Sequence, residues 1–164
     1  MDNKLIKQDR LRFTKNTASA NLAYLAILFN VLYFVSIYST DPGNYYYSID
    51  IGVSVVYNLL FLLITFLSSE GLKNYKLSYA VVISVIGIMQ IVRIFGIPMD
   101  ASHSFITDTT IPVMEPDQFK YVTTMLVLSA ICCIASGVNG IIRSLTLREY
   151  NRKLAAGEIH LEFK

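Results

Sequence analysis

Residues 77–97 read LSYAVVISVIGIMQIVRIFGI, and this long apolar run decides the fold. At 1.5 Å per residue, a helix of this length crosses a hydrocarbon core of ~30 Å. The last part of the run continues into QIVRIFGIP at 90–98, which holds the amide Gln90 and the cation Arg93. An ionisable side chain within a membrane-length segment is costly and marks a candidate functional site by default. The stretch therefore predicts a transmembrane helix with a polar site toward one end.

Three further apolar runs of similar length surround this one in the chain. They lack charged residues and cover residues 18–38, 51–68 and 121–142. Only 16% of the residues are charged, against roughly 25% in soluble domains, and 54% are hydrophobic. Backbone groups in lipid must be hydrogen-bonded within the segment, so each run should be an α-helix. We predict an all-α membrane protein, a bundle of four transmembrane helices.

The distribution of Lys and Arg predicts how this bundle is oriented. Residues 1–17, the connection at 68–76 and the segment 143–164 together carry 12 of the 14 cations. Because cytoplasmic segments carry the excess of Lys and Arg, both termini should be cytoplasmic. The chain then divides into a basic cytoplasmic N-terminal segment (1–17), a transmembrane domain (18–142) and a cytoplasmic juxtamembrane helix with a tail (143–164). We expect a multi-pass protein of the cell membrane.

The two cytoplasmic ends leave alternatives open. Residues 1–17 can be a solvated basic leader, which we favour, or a short amphipathic helix on the membrane surface. The segment after 143 should be helical up to Gly157 and should attract anionic lipid through its cations. The final residues EIHLEFK alternate apolar and polar side chains, which suits a frayed tail or strand addition to a partner.

Three amides are candidates for intramembrane polar contacts. Asn30 and Asn58 lie near the middle of the first two runs, so in a hairpin their side chains can face each other. We favour an interhelical clamp, because amide pairs link membrane helices. Two alternatives are a polar path for a solute, with Gln90 as a third member and Tyr33 or Tyr57 alongside, and contacts with a partner's helices.

Arg93 lies about one turn from the outer end of its run, so its long side chain can extend to the interface. Asp50 and Asp100 should lie at a similar depth, and either is a candidate ion-pair partner, as are the hydroxyls of residues 45–47. We favour a structural anchor at the rim of the bundle. The alternatives are contact with a partner subunit and binding of an anionic or sugar-like ligand.

Small side chains recur with helical spacing in the third and fourth runs, which predicts close packing between these two helices. They are Ala80, Ser84 and Gly87 in one run and Ser129, Cys133, Ser136 and Gly140 in the other. Cys132 and Cys133 are adjacent, so we read them as small apolar residues and not as a disulfide framework.

No catalytic motif and no metal-binding motif is present in the sequence, so we expect no enzymatic activity, no cofactor and no metal site. Besides the lipid bilayer and anionic lipid, the expected partner is another membrane protein or a second copy of the chain, and not nucleic acid. The sequence favours an accessory or scaffold subunit that packs against a larger membrane assembly. The alternative is a small oligomeric transporter or channel that uses the intramembrane amides, and a membrane-embedded enzyme is the remote one.

Overall fold

The protein is a bundle of long helices, seen in a computed structural model that describes residues 3–37, 45–106 and 110–157. Six α-helices and one 3-10 turn occur in this part of the chain. In order they are α1 (Asn3–Phe13), α2 (Thr17–Ile37), α3 (Tyr45–Lys73), α4 (Leu77–Val92), the 3-10 turn Arg93–Phe95, α5 (Ile97–His103) and α6 (Pro116–Ala155).

Four of these segments are long and apolar enough to cross a membrane, which confirms the predicted all-helical fold with four membrane-length helices. They are Thr17–Ile37, Ile51–Lys73, Leu77–His103 and Pro116–Ala155. Within the described ranges, the sole strand-like pairing is an isolated bridge between Phe105 and Pro112. The chain is therefore an integral, multi-pass membrane protein.

The third segment is not one continuous helix. The α-helical pattern ends at Val92, and a 3-10 turn separates α4 from α5. Gly96 takes a backbone conformation outside the helical region (φ −93°, ψ −125°), and Pro98 in the first turn of α5 has no N–H to continue the ladder. Arg93 therefore lies at a break in the helix.

Helix α6 runs without a break from the fourth apolar run into the helical segment predicted after 143, and it forms the centre of the bundle. It has 40 residues, which corresponds to about 60 Å, or twice a typical hydrocarbon core. It packs against α2 and α4, and α3 completes the bundle by packing against both of those helices. A hydrocarbon core can therefore cover only about half of the length of α6.

Part of the predicted small-residue face of α6 lies against α4, whereas Ser129 and Ser136 donate hydrogen bonds to carbonyl groups of α2. A methyl group added at Gly137 would come within 2.8 Å of the Ala80 carbonyl oxygen, and one at Gly87 within 3.0 Å of Cys133 Cβ. Both distances are below ordinary van der Waals contact, so the two backbones approach as closely as glycine allows.

The end of the bundle that carries α1 and the last part of α6, here called the terminal end, is held by contacts between distant segments. Residues 3–13 are helical, and this helix packs on the last part of α6, where the Tyr150 hydroxyl donates a hydrogen bond to Asp9 (3.0 Å). The Asn16 N–H donates to the Lys73 carbonyl (3.1 Å). The basic leader is thus a docked helix, whereas the favoured alternative was a solvated segment. The last seven residues, for which a frayed or strand-forming tail is predicted, lie outside the described residues.

Candidate functional site

The residues of the candidate site come from all four membrane-length segments at one depth. Gln90 is 13 residues beyond the start of α4, or about 20 Å along the helix from the terminal end. Asn30 is likewise 13 residues beyond the start of α2. Because α3 runs in the opposite direction, Asn58, 15 residues before its end, reaches the same level. The polar side chains therefore meet inside the bundle, well away from the terminal end.

Arg93 turns inward and bonds to three amide oxygens. One terminal nitrogen, Nη1, donates to Gln90 Oε1 (2.7 Å) and to Asn30 Oδ1 (3.0 Å). The other, Nη2, donates to Asn58 Oδ1 (3.1 Å). Each of the three amides belongs to a different helix, so one guanidinium joins α2, α3 and α4. We call Arg93, Asn30, Asn58 and Gln90 the Arg93 cluster.

Each amide group of this cluster donates and accepts hydrogen bonds within the protein. Asn30 Nδ2 donates to Asn58 Oδ1 (3.1 Å), and Gln90 Nε2 donates to Asn30 Oδ1 (2.9 Å) and to Ser129 Oγ (3.3 Å). Asn58 Nδ2 donates to the Ser54 carbonyl (2.8 Å). The three amides are at most 1% exposed, so each of these bonds replaces water that the interior excludes.

The Ser129 hydroxyl extends the network to the fourth helix. It donates to the Ala26 carbonyl of α2 (3.0 Å) while it accepts from Gln90. A residue that the sequence suggests only as a small packing side chain therefore also carries the polar network into α6.

Two aromatic rings enclose the guanidinium. The Arg93 Cζ atom lies 4.6 Å from the centroid of the Tyr33 ring and 4.3 Å from that of Tyr57. Both distances are within the range of cation–π attraction, which strengthens when water is excluded. The charge is thus stabilised by amide oxygens and by ring faces, all of them neutral.

The structure places Arg93 differently from the rim position that its sequence location suggests. Asp100 lies on α5 with an exposed side chain, and no carboxylate of the described residues forms an ion pair with Arg93. Asp50 lies in α3, but its side chain is outside the described part of the structure, as are the side chains of residues 45–47. The guanidinium reaches inward because three amide oxygens are available there.

A small cleft gives access to Arg93 from the side of the bundle. Its volume is about 170 Å³. The lining residues are Tyr33, Val53, Ser54, Tyr57, Arg93, Gly96 and Ile97. The cleft lies where the helical ladder breaks, because Gly96 presents no side chain there. The cluster is therefore a buried charge that a cleft reaches.

A second polar cluster near the terminal end was not predicted from the sequence. Arg143 Nη1 donates to Asn16 Oδ1 (3.2 Å), and Asn139 Nδ2 donates to Ser19 Oγ (2.9 Å). The Ser136 hydroxyl donates to the Ser19 carbonyl (2.6 Å). We call these five residues the Asn16 cluster. One signal was present, because Asn139 is an amide within the fourth apolar run, one helical turn before a cation.

The comparisons with known proteins add no relative: no family model, no curated protein and no solved structure matches this chain. In the three described ranges, no group of three or more His, Cys, Asp or Glu side chains could hold a metal ion. The chemistry of the Arg93 cluster is that of a positive charge held in place by neutral hydrogen-bond acceptors.

Proposed function

We propose that this protein is a non-enzymatic accessory or scaffold subunit that packs against another membrane protein or against a second copy of itself. One observation carries the proposal. The amides of the Arg93 cluster bond to one another, to the guanidinium and to Ser129, and these bonds link α2, α3, α4 and α6. A catalytic site needs a nucleophile or a base left available for substrate.

The same packing speaks against the transporter alternative. Between the two polar clusters, the interface of α2 with α6 contains Ala23, Ala26 and Cys133, and each is 0% exposed. A solute path would need polar groups that face a water-filled space along this line. The amides instead face one another and the guanidinium.

The proposed orientation places both termini in the cytoplasm. Its support is the charge count, together with the contacts that bring the cation-rich segments to one end of the bundle. The Asn16 N–H bond to Lys73 and the Tyr150 bond to Asp9 join the leader, the connection after α3 and the end of α6. Twelve of the fourteen cations then face one side, as expected for the cytoplasmic side.

A partner has most room on α3 and α4. Only 28% and 22% of their span residues are buried within the bundle, against 44% for α6. The exposed side chains there are apolar, for example Val85 on α4 and Leu63 on α3. Such faces suit either lipid or the helices of another membrane protein.

Affinity purification from the native host in mild detergent tests the proposal. We expect one other membrane protein to co-purify in fixed stoichiometry, or the chain to purify as a defined homo-oligomer without transport activity. A photo-crosslinker at Val85 should reach that partner, and one at Val138 on α6 serves as the matched position, since both side chains are about half exposed. A homo-oligomer that moves solute across liposome membranes would overturn the scaffold proposal and support the transporter.

A further inference from the structure

Among the described residues, no anionic side chain forms an ion pair with Arg93. Its described partners are three amide oxygens and two tyrosine rings, and none of them is anionic. Moving an Arg side chain to the centre of a membrane costs at least ~2.5–3.5 kcal/mol. Hydrogen bonds between membrane helices return only about 0.6 kcal/mol each on average. An anion beside the guanidinium would therefore be favoured over more neutral contacts.

The guanidinium also retains the capacity to donate. An Arg side chain has five N–H groups, and the described bonds to amide oxygens use three of them. Even with the Tyr33 side chain as a further partner, at least one N–H remains. The cleft lined by Tyr33, Tyr57 and Ser54 leads to this side chain.

The size of the cleft limits what can enter it. At about 170 Å³ it is smaller than the 300–1,000 Å³ typical of pockets for whole ligands. A compact anionic head group fits such a space, and a carboxylate is smaller than a phosphate diester and can accept a charge-assisted hydrogen bond from the remaining N–H. The remainder of any ligand must lie outside the cleft.

An apolar groove on α3 lies beside the cleft. Its volume is about 580 Å³, and its lining is formed by Ile49, Gly52, Val53, Val56, Tyr57 and Leu60. Val53 and Tyr57 belong to the cleft as well, so the two spaces meet at these side chains. Gly52 keeps the groove open, since a methyl group added there would meet nothing within 4 Å. A charged cleft beside an apolar groove has the shape of an amphiphile.

We propose that the Arg93 cleft and the α3 groove form one binding site for a single-chain anionic amphiphile, a long-chain carboxylate. The carboxylate accepts hydrogen bonds from Arg93 between the two tyrosine rings, and the alkyl chain lies along Val53 and Val56. The inference is independent of the scaffold role, because it concerns what occupies the bundle and not what the bundle assembles with.

Photolabelling of the purified, delipidated protein in detergent tests this site. The probe is a long-chain fatty acid with a diazirine in its chain, and the comparison compound is its methyl ester, which has the same chain without the charge. We expect the acid to label peptides containing residues 49–60 at least about tenfold more strongly than the ester, as loss of a charge-assisted hydrogen bond implies. Equal labelling by acid and ester would overturn the proposal, because the groove would then be an ordinary lipid-facing surface.

Two variants separate the head-group site from the chain site. Arg93→Gln should reduce labelling by the acid about tenfold, with Arg143→Gln in the Asn16 cluster as the matched control that retains it. Gly52→Phe should fill the groove and reduce labelling by the acid, although the new side chain does not contact Arg93. The comparison of acid with ester uses the unaltered chain, so it tests the proposed site even if Arg93→Gln fails to fold.

Competition identifies the source of the anion. Unlabelled oleate should displace the probe at lower concentrations than phosphatidylglycerol, whose larger head group exceeds the cleft. Displacement by phosphatidylglycerol alone would overturn the assignment of a carboxylate. The assignment would also be overturned if the acid labelled the Asp50→Asn variant but not the unaltered chain. The Asp50 carboxylate would then be the anion that occupies the site at Arg93.

Discussion

At the scale of the residue, Arg93 and Asn30 are unequal partners. Asn30 accepts from both Arg93 and Gln90 and donates to Asn58, so it is the centre of the network. Removing it leaves the charge in place with fewer acceptors. Removing Arg93 discards the charge itself, along with the cost of keeping it in an apolar environment. Losing one partner of a buried polar pair is generally worse than replacing both with apolar groups.

This asymmetry predicts the outcome of a double-mutant cycle. Asn30→Leu should lower the free energy of unfolding by about 2 kcal/mol, because three interhelical bonds at ~0.6 kcal/mol each are lost. Arg93→Leu should lower it by less than about 1 kcal/mol, since relief of ~2.5–3.5 kcal/mol of burial cost offsets the lost bonds. The double variant should be less stable than Arg93→Leu by about 1 kcal/mol, because the Asn30 bonds to Asn58 and Gln90 do not involve Arg93. Denaturant titration in detergent micelles measures all three, and effects that add within ~0.5 kcal/mol would show that the two side chains are not coupled.

At the scale of the element, the contact between α4 and α6 depends on residues without bulk. Gly137 lies against the Ala80 carbonyl and Ile83, and Gly87 lies against Cys133. Lipid is as apolar as these helices, so no hydrophobic force brings them together, and close backbone approach supplies the packing. Gly52 on α3 faces the apolar groove instead of a neighbouring helix. Glycine therefore has two different roles in two helices of one bundle.

A matched pair of alanine substitutions distinguishes these roles. Gly137→Ala should lower the free energy of unfolding by about 1–3 kcal/mol, because the new methyl group overlaps a backbone oxygen that cannot move aside. Gly52→Ala should be neutral or stabilising by up to ~1 kcal/mol, since alanine favours the helix and meets no neighbour. Thermal unfolding in the same detergent measures both. If Gly137→Ala were as stable as Gly52→Ala, the two helices would be further apart than described.

At the scale of the whole molecule, the bundle has two unlike ends. The terminal end gathers the leader helix, the connection after α3 and the last part of α6, and the Asn16 cluster ties them together. The opposite end carries α5, the helix break and the approach to Arg93. If the terminal end is cytoplasmic, as proposed, the cleft opens in the half of the membrane away from the cytoplasm.

Cysteine accessibility tests this orientation in intact cells. Thr110→Cys and Asn74→Cys place thiols at exposed positions on the two ends, in a background where Cys132 and Cys133 are replaced by alanine. A membrane-impermeant maleimide added from outside should label Thr110→Cys at once and Asn74→Cys only after lysis. Labelling in the reverse order would invert the topology and place the cation-rich end outside.

The number of helices and the polar residues within them could be predicted from the sequence, whereas the contacts between those residues could not. Asn30, Asn58, Gln90 and Arg93 stand out in sequence because any polar side chain in an apolar run does. The inward turn of Arg93 depends on a 3-10 turn and on oxygens from three helices at one depth, which no local pattern encodes. The Asn16 cluster was missed for the same reason, since its residues near the start of α2 and its residues in α6 are more than 100 positions apart in the chain.

The sequence by itself determined an all-helical membrane protein with four membrane-length segments, because length and hydropathy decide whether a segment can satisfy its backbone in lipid. Only the tertiary structure decided what the charge in QIVRIFGIP does. Taken alone, Arg93 is near enough to one end of its run to reach the interface. In the bundle, three amide oxygens and two tyrosine rings surround one position between the helices. Their combined attraction holds the guanidinium there.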